Sequence, residues 1–198
     1  MVDTRFVNNE PGGADKYVSW IEKERATQPY FAFQGDFDIL TAEIGDNEIL
    51  MNEIASNIEE IKKKNGGVVS LVEQQGVCFS VLNRNSNFRV FTFNNPFNEA
   101  RTSYFHKSIG GYHGAKLKRY QELIEFQIGQ NNQKVLDMLN TKYIIQYAND
   151  EFTREINNSM MRPRPTSLGN AWFVNQVKIV ENADEEIIAL NESEGFDP

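Results

Sequence analysis

Between Asn47 and Gly67 the apolar residues recur at helical spacing, and beyond Gly67 that spacing shortens. This change of period constrains the fold more than any other feature. Ile49, Leu50, Ile54, Ile58 and Ile61 predict one stripe of a helix over about 47–64, with Lys62, Lys63 and Lys64 at the end where the helix dipole favours cations and Gly66-Gly67 as the stop. GVVSLVE (67–73), GVCFSVL (76–82) and FRVFTF (88–93) then read as three strands. Helices return at about 117–128, where Leu117, Tyr120, Leu123, Ile124 and Ile128 share a face, and at QKVLDMLN (133–140). KYIIQY (142–147) and AWFVNQVKIV (171–180) read as strands, 184–190 as a last short helix, and 14–25 as an early one carrying Tyr17, Trp20 and Ile21. Residues 28–45 read as irregular, and 149–170 as a long loop with Pro163 and Pro165. Strands and helices mix without a βαβ rhythm, which predicts an α+β fold: a mixed β-sheet with flanking helices.

The length, 198 residues, suits a single domain over 1–198, with a weak internal boundary near 83–87. Apolar residues make up 40% and include 14 Phe, enough for a core when each buried Leu, Ile or Phe contributes roughly 1.5–3 kcal/mol. The single cysteine, Cys78, excludes an internal disulfide and sits in an apolar run, as a buried structural thiol would. The start MVDTRFVNNEPGG lacks the apolar core of a signal peptide, and no stretch approaches the ~20 apolar residues of a membrane span. A net charge of −8 argues against general nucleic-acid binding, and no nucleic-acid partner is expected.

Against this acidic background, residues 101–120 hold Arg101, Lys107, Lys116, Lys118 and Arg119 and no acid. Within them, SYFHKSIGGYHGAKLKRY (103–120) carries both histidines, His106 and His113. Its glycines fit no nucleotide motif. Counting from Gly110, a Walker A loop would need glycine where Ala115 stands and a hydroxyl where Leu117 stands, and Gly110, Gly111 and Gly114 miss the dinucleotide spacing. The histidines have no Cys or carboxylate nearby in sequence to complete a metal site, and partly exposed, hydrogen-bonded histidines are the expectation. Ser103 and Ser108 lack a nucleophile elbow. No metal and no cofactor is expected.

What remains is electrostatic. The glycines lead into a helix N-terminus near Ala115, where backbone N–H groups and the dipole favour an anion, and Tyr104, Phe105, Tyr112 and Tyr120 interleave with the cations as at a membrane interface. The candidate contact residues for a ligand or a membrane are therefore His106, Lys107, Gly110, Gly111, Tyr112, His113, Lys116, Lys118, Arg119 and Tyr120. The alternative is a solvated helix face behind a glycine turn, with Lys116 and Arg119 held in ion pairs.

NPFNEARTSYFHKSIGGYHGAKLKRYQELIE (95–125), VLDMLNTKYII (135–145) and LGNAWFVNQVKIVENADEEIIAL (168–190) occur in this order. Together they resemble the extracytoplasmic domain of YfhO-like bacterial membrane proteins, in the form common among Bacteroidetes. Residues 30–86 share less of the likeness, and RPRPTS (162–167) departs from the family's Asn-rich loop. The resemblance implies a polytopic parent protein of the lipid-linked-sugar glycosyltransferase type, acting on cell-envelope polymers, of which this chain is one excursion on the extracytoplasmic (periplasmic) face of the inner membrane. It implies an accessory domain whose partners are the transmembrane part of the parent and anionic lipid or a lipid-linked sugar phosphate. It carries no catalytic residue onto these positions. The rival reading is a structural or protein-interaction module with no ligand of its own.

Overall fold

The computed structural model describes residues 31–112, 116–149, 156–191 and 197–198. In chain order the elements are α1 (Gln34–Ile44), α2 (Glu48–Lys64), α3 (Leu71–Asn85), β1 (Arg89–Thr92), α4 (Arg101–Phe105), α5 (Lys118–Phe126), a 3-10 turn (Ile128–Gln130), α6 (Gln133–Met138), β2 (Thr141–Asn149), β3 (Ile156–Pro163) and α7 (Ala183–Ala189). The three strands form one mixed sheet in the order β1-β2-β3. β1 runs parallel to β2, with Val90 opposite Tyr143 and Thr92 opposite Ile145, and β3 returns antiparallel, with Met161 opposite Ile145. The chain is α+β, as its sequence predicts.

Successive residues of a strand face opposite sides, and β1 uses both. Val90 enters a large cluster with Ile39 of α1, Ile54 of α2, Phe79 and Leu82 of α3, and Tyr143, Ile145 and Tyr147 of β2. Its neighbour Phe91 enters a second cluster with Ile109, Ile124, Ile128, Val135 and Leu136. Helices α1–α3 thus pack on one side of β1, and α5, α6 and the 3-10 turn on the other. Asn132 fastens the second layer. Its Oδ1 caps α6 at the Val135 N–H (3.1 Å), and its amide donates to the Leu190 carbonyl just beyond α7 (2.8 Å).

Four expectations are corrected. The two strands predicted over 67–82 are one helix, α3. Its start is a reciprocal cap: Ser70 Oγ accepts the Glu73 N–H, and Glu73 accepts the Ser70 N–H (2.8 Å). Gln75, Phe79 and Leu82 are buried at helical spacing, so packing overrides the β-propensity of the valines. Residues 34–44, expected to be irregular, form α1, which crosses β3 so closely that a Cβ on Gly35 would stand 2.9 Å from the Met160 and Met161 backbone. The expected loop 149–170 contains β3, a polar edge strand whose Asn-rich sequence carries no period-2 apolar signal. Residues 171–180, expected as a strand, have no strand partner among the described residues. Within α2, Leu50, Ile54 and Ile58 face the core, but Ile49 turns outward at 79% exposure. The helix predicted over 14–25 lies outside the described residues. Cys78 is half-buried against the larger cluster, and burial pushes its thiol up.

Candidate functional site

The stretch 101–120 does not form one surface. Its first turn is core. Arg101, on α4, is 4% exposed and donates to Asp36 Oδ2 (2.9 Å) and to the Phe31 carbonyl. His106 is 3% exposed, and its Nε2 lies 3.0 Å from Asp36 Oδ1. The carboxylate absent from the neighbouring sequence is supplied by Asp36, at the N-terminus of α1, where it also accepts the Phe33 N–H (2.8 Å). Aromatic rings close the network: the Arg101 guanidinium lies 4.0 Å from the Phe33 ring centroid, and Phe79 packs edge-on to His106. Burial alone would raise the Asp36 carboxyl, but the His106 hydrogen bond, its charge and that of Arg101 outweigh it, so Asp36 titrates below the usual carboxylate range. Tyr147, hydrogen-bonded to Thr102 (2.9 Å), is pushed above the ordinary phenol range by burial and by the Asp36 charge. His106, expected to be partly exposed on a contact surface, is instead a buried ligand of Asp36.

The glycine pair is a closed turn rather than an anion cradle. The Gly110 N–H is used by Ser108 Oγ (2.9 Å) and the Gly111 N–H by the Pro96 carbonyl (2.7 Å). A Cβ on Gly110 would stand 2.1 Å from that carbonyl, and Gly111 has φ +110°. The expected helix N-terminus near Ala115 lies outside the described residues, as does His113, and α5 begins at Lys118.

The later cations reach the surface and find partners there. Lys116 lies 5.9 Å from the Phe97 ring centroid, and Lys118 reaches Glu122 (3.5 Å). Arg119 pairs with Glu122 on its own helix (3.3 Å) and bridges α5 to α7 through Glu186 (3.1 Å) and the Ala183 carbonyl (3.2 Å). The Tyr120 hydroxyl donates to the Ile109 carbonyl, and burial raises its pKa. Tyr112 stands out, 70% exposed. Farther along the chain, Arg164 is likewise held, by Asp137 and the Gln133 carbonyl (3.1 Å).

Lys107 belongs to a different place. Its backbone carbonyl accepts the Val90 N–H (2.9 Å), so residues 107–109 run beside β1. Its side chain, bonded to the Ser86 carbonyl, lines a cleft of about 320 Å³ together with Asn87, Arg89, Asn140, Asn170 and Trp172. Asn140 organises this cleft. It closes the α6–β2 turn with φ +57°, accepts the Arg89 N–H on its carbonyl (2.9 Å), and donates its side-chain amide to the Asn87 carbonyl and to Asn170 Oδ1 (2.9 Å). Gly169, at φ +78°, lines the cleft with Asn170 and Trp172 of the segment that follows it. Among the described residues no acid lines the cleft, and no carboxylate lies within ion-pair distance of Arg89. The Trp172 indole N–H is buried without a protein acceptor.

Of the sequence candidates, only Lys107 lines this cleft. Asn87, Arg89, Asn140, Asn170 and Trp172 were missed, because isolated asparagines and a tryptophan in an apolar run announce no chemistry. A signal existed nonetheless: Lys107, Asn140 and the pair Asn170/Trp172 each come from one of the three stretches that carry the family resemblance. Among the described residues no group of three His, Cys, Asp or Glu side chains is arranged to hold a metal, and no helix is long and apolar enough to cross a membrane. Comparison with family models, with curated proteins and with solved structures finds no match to this chain.

Proposed function

We propose that this chain is an extracytoplasmic accessory domain of a multi-spanning, lipid-linked-sugar glycosyltransferase-like membrane protein, serving it by binding rather than by bond chemistry. One observation carries the reading: three stretches far apart in sequence, those on which the resemblance rests, supply Lys107, Asn140 and Trp172 to one cleft. The cleft combines cations, amides and an indole, groups suited to hold and orient a polar ligand. The Asp36–His106–Arg101 cluster is a buried concentration of ionisable groups, and it is sealed by Phe33, Phe79 and Phe105, so it supports the domain from within. The reading is tested by fusing a reporter enzyme that is active only outside the cytoplasm to this domain in the intact gene. Reporter activity is expected, and activity of a cytoplasm-only reporter at the same fusion point overturns the proposal.

A second reading, a protein-interaction module, is favoured by the run after Trp172. Phe173, Val177 and Ile179 are 103%, 80% and 92% exposed in a segment rich in strand-forming residues that lacks a strand partner among the described residues. On this reading the transmembrane part of the parent covers the run. Cross-linking from a photoreactive residue at position 177 in the intact membrane protein distinguishes the two: capture of the parent's own membrane helices supports it, and labelling by solvent alone removes it.

A further inference from the structure

We propose that the cleft between the start of β1, the α6–β2 turn and the Gly169–Trp172 segment binds a glycosyl phosphate, with the phosphate on Arg89 and Lys107 and the sugar on the asparagines and Trp172. The inference rests on the accessory-domain reading above and names the ligand class of that site. Its charge comes first. Among the described residues, two cations and no acid line the opening, in a chain whose net charge is −8. Elsewhere the surface cations Arg84, Lys118 and Arg119 are each matched to a glutamate. Arg89 and Lys107, side by side in the cleft, have no such carboxylate partner among the described residues. A guanidinium with free N–H groups fits a phosphate in bidentate fashion, and Lys107 adds a point charge beside it.

The amides argue for a sugar on that phosphate. Asn140 commits its amide donor within the protein, which leaves its Oδ1 as an acceptor, while Asn170 commits its Oδ1 and keeps its amide N–H groups. Donors and acceptors therefore stand together, and a sugar hydroxyl is both. Met138, Leu139 and the indole of Trp172 supply apolar wall for the C–H face of the ring. A volume of about 320 Å³ lies at the low end of the ~300–1,000 Å³ range of small-molecule sites, which suits one sugar residue rather than an enclosed chain. The partnerless indole N–H of Trp172 makes this side chain the natural reporter of occupancy.

The test is calorimetric titration of the full 198-residue chain with glucose 1-phosphate, glucose and inorganic phosphate, beside co-sedimentation with vesicles containing phosphatidylglycerol. Glucose 1-phosphate is expected to bind at least tenfold more tightly than glucose or phosphate alone. Arg89→Ala should weaken it at least tenfold with an unchanged melting curve, and Arg89→Lys should restore part of the loss. In a Trp20→Phe background the emission of Trp172 should change on saturation. Equal affinity for inorganic phosphate, or binding indifferent to Arg89→Ala, overturns the inference. So does vesicle binding that depends on Arg89 without any binding of glucose 1-phosphate, because the anion would then be a lipid headgroup. Each of these failures leaves the accessory-domain reading standing, since that reading falls only with the topology reporter.

Discussion

Two polar clusters of this protein use similar residues to opposite ends. Around Asp36, the Arg101 guanidinium and the His106 imidazole meet a carboxylate brought from 65 and 70 residues away, and aromatic rings exclude water. Around Asn140, Lys107 meets the Ser86 carbonyl, Arg89 stands at the solvent-exposed start of β1, and among the described residues no acid lines the cleft. A buried charge is tolerated only when it is paired and hydrogen-bonded, so the first cluster is closed chemically as well as sterically. An exposed cation has no such requirement, and the second cluster stands without a carboxylate partner among the described residues. Concentration of titratable groups therefore marks structure at one site, and absence of compensation marks candidate function at the other.

The comparison breaks most decisively at Asp36. Replacing it with Ala removes the buried carboxylate that Arg101 and His106 share, and a loss of about 3–5 kcal/mol is expected in chemical denaturation. A loss under 1 kcal/mol would show that water reaches the cluster. Gly110→Ala comes next. The new Cβ must displace the Pro96 carbonyl, and about 1–3 kcal/mol of overpacking is expected. Thermal melts that superpose on the wild type would refute the closed turn.

Acid sharpens the contrast further. The folded pKa of Asp36 lies below its unfolded value. Its contribution is thus fully present above the ordinary carboxylate pKa of about 3.9 and is lost as pH falls toward the folded value. An Asp36→Asn variant should show a shallower fall of stability below about pH 4, and parallel acid profiles would contradict that assignment. The smallest effects belong to the surface. Arg119→Ala removes a bridge between two half-exposed helices and should cost about 0.2–1 kcal/mol, less in high salt. Arg89→Ala should change stability by no more than about 0.5 kcal/mol, because nothing acidic depends on it.

The elements legible in the sequence were those with their own local signals. α2 has an apolar stripe, terminal lysines and a glycine stop, and β2 alternates Tyr143, Ile145 and Tyr147 inward. α3 carried two signals at once. Its valines favour strand, while Ser70 and Glu73 form a helix-starting cap that outweighs them once Phe79 and Leu82 find the core. β3 was illegible because an edge strand of Asn, Ser and Met takes its hydrogen bonds from β2 and needs no apolar alternation. The run 171–180 failed in the reverse sense: its residues suit a strand, but a strand exists only where another offers its backbone.

The sequence by itself determined the class, α+β with a mixed sheet, because periodicity and capping act over a few residues. It also drew attention to 101–120, because charge can be counted along a chain. Only the tertiary structure decided what those charges mean. It buried His106 and Arg101 on Asp36, tied Arg119 to Glu186, and set Lys107 beside Arg89 and Trp172. Charge compensation and burial depend on separations in space, and β1, the α6–β2 turn and the Gly169–Trp172 segment become neighbours only when the sheet and its two helical layers close.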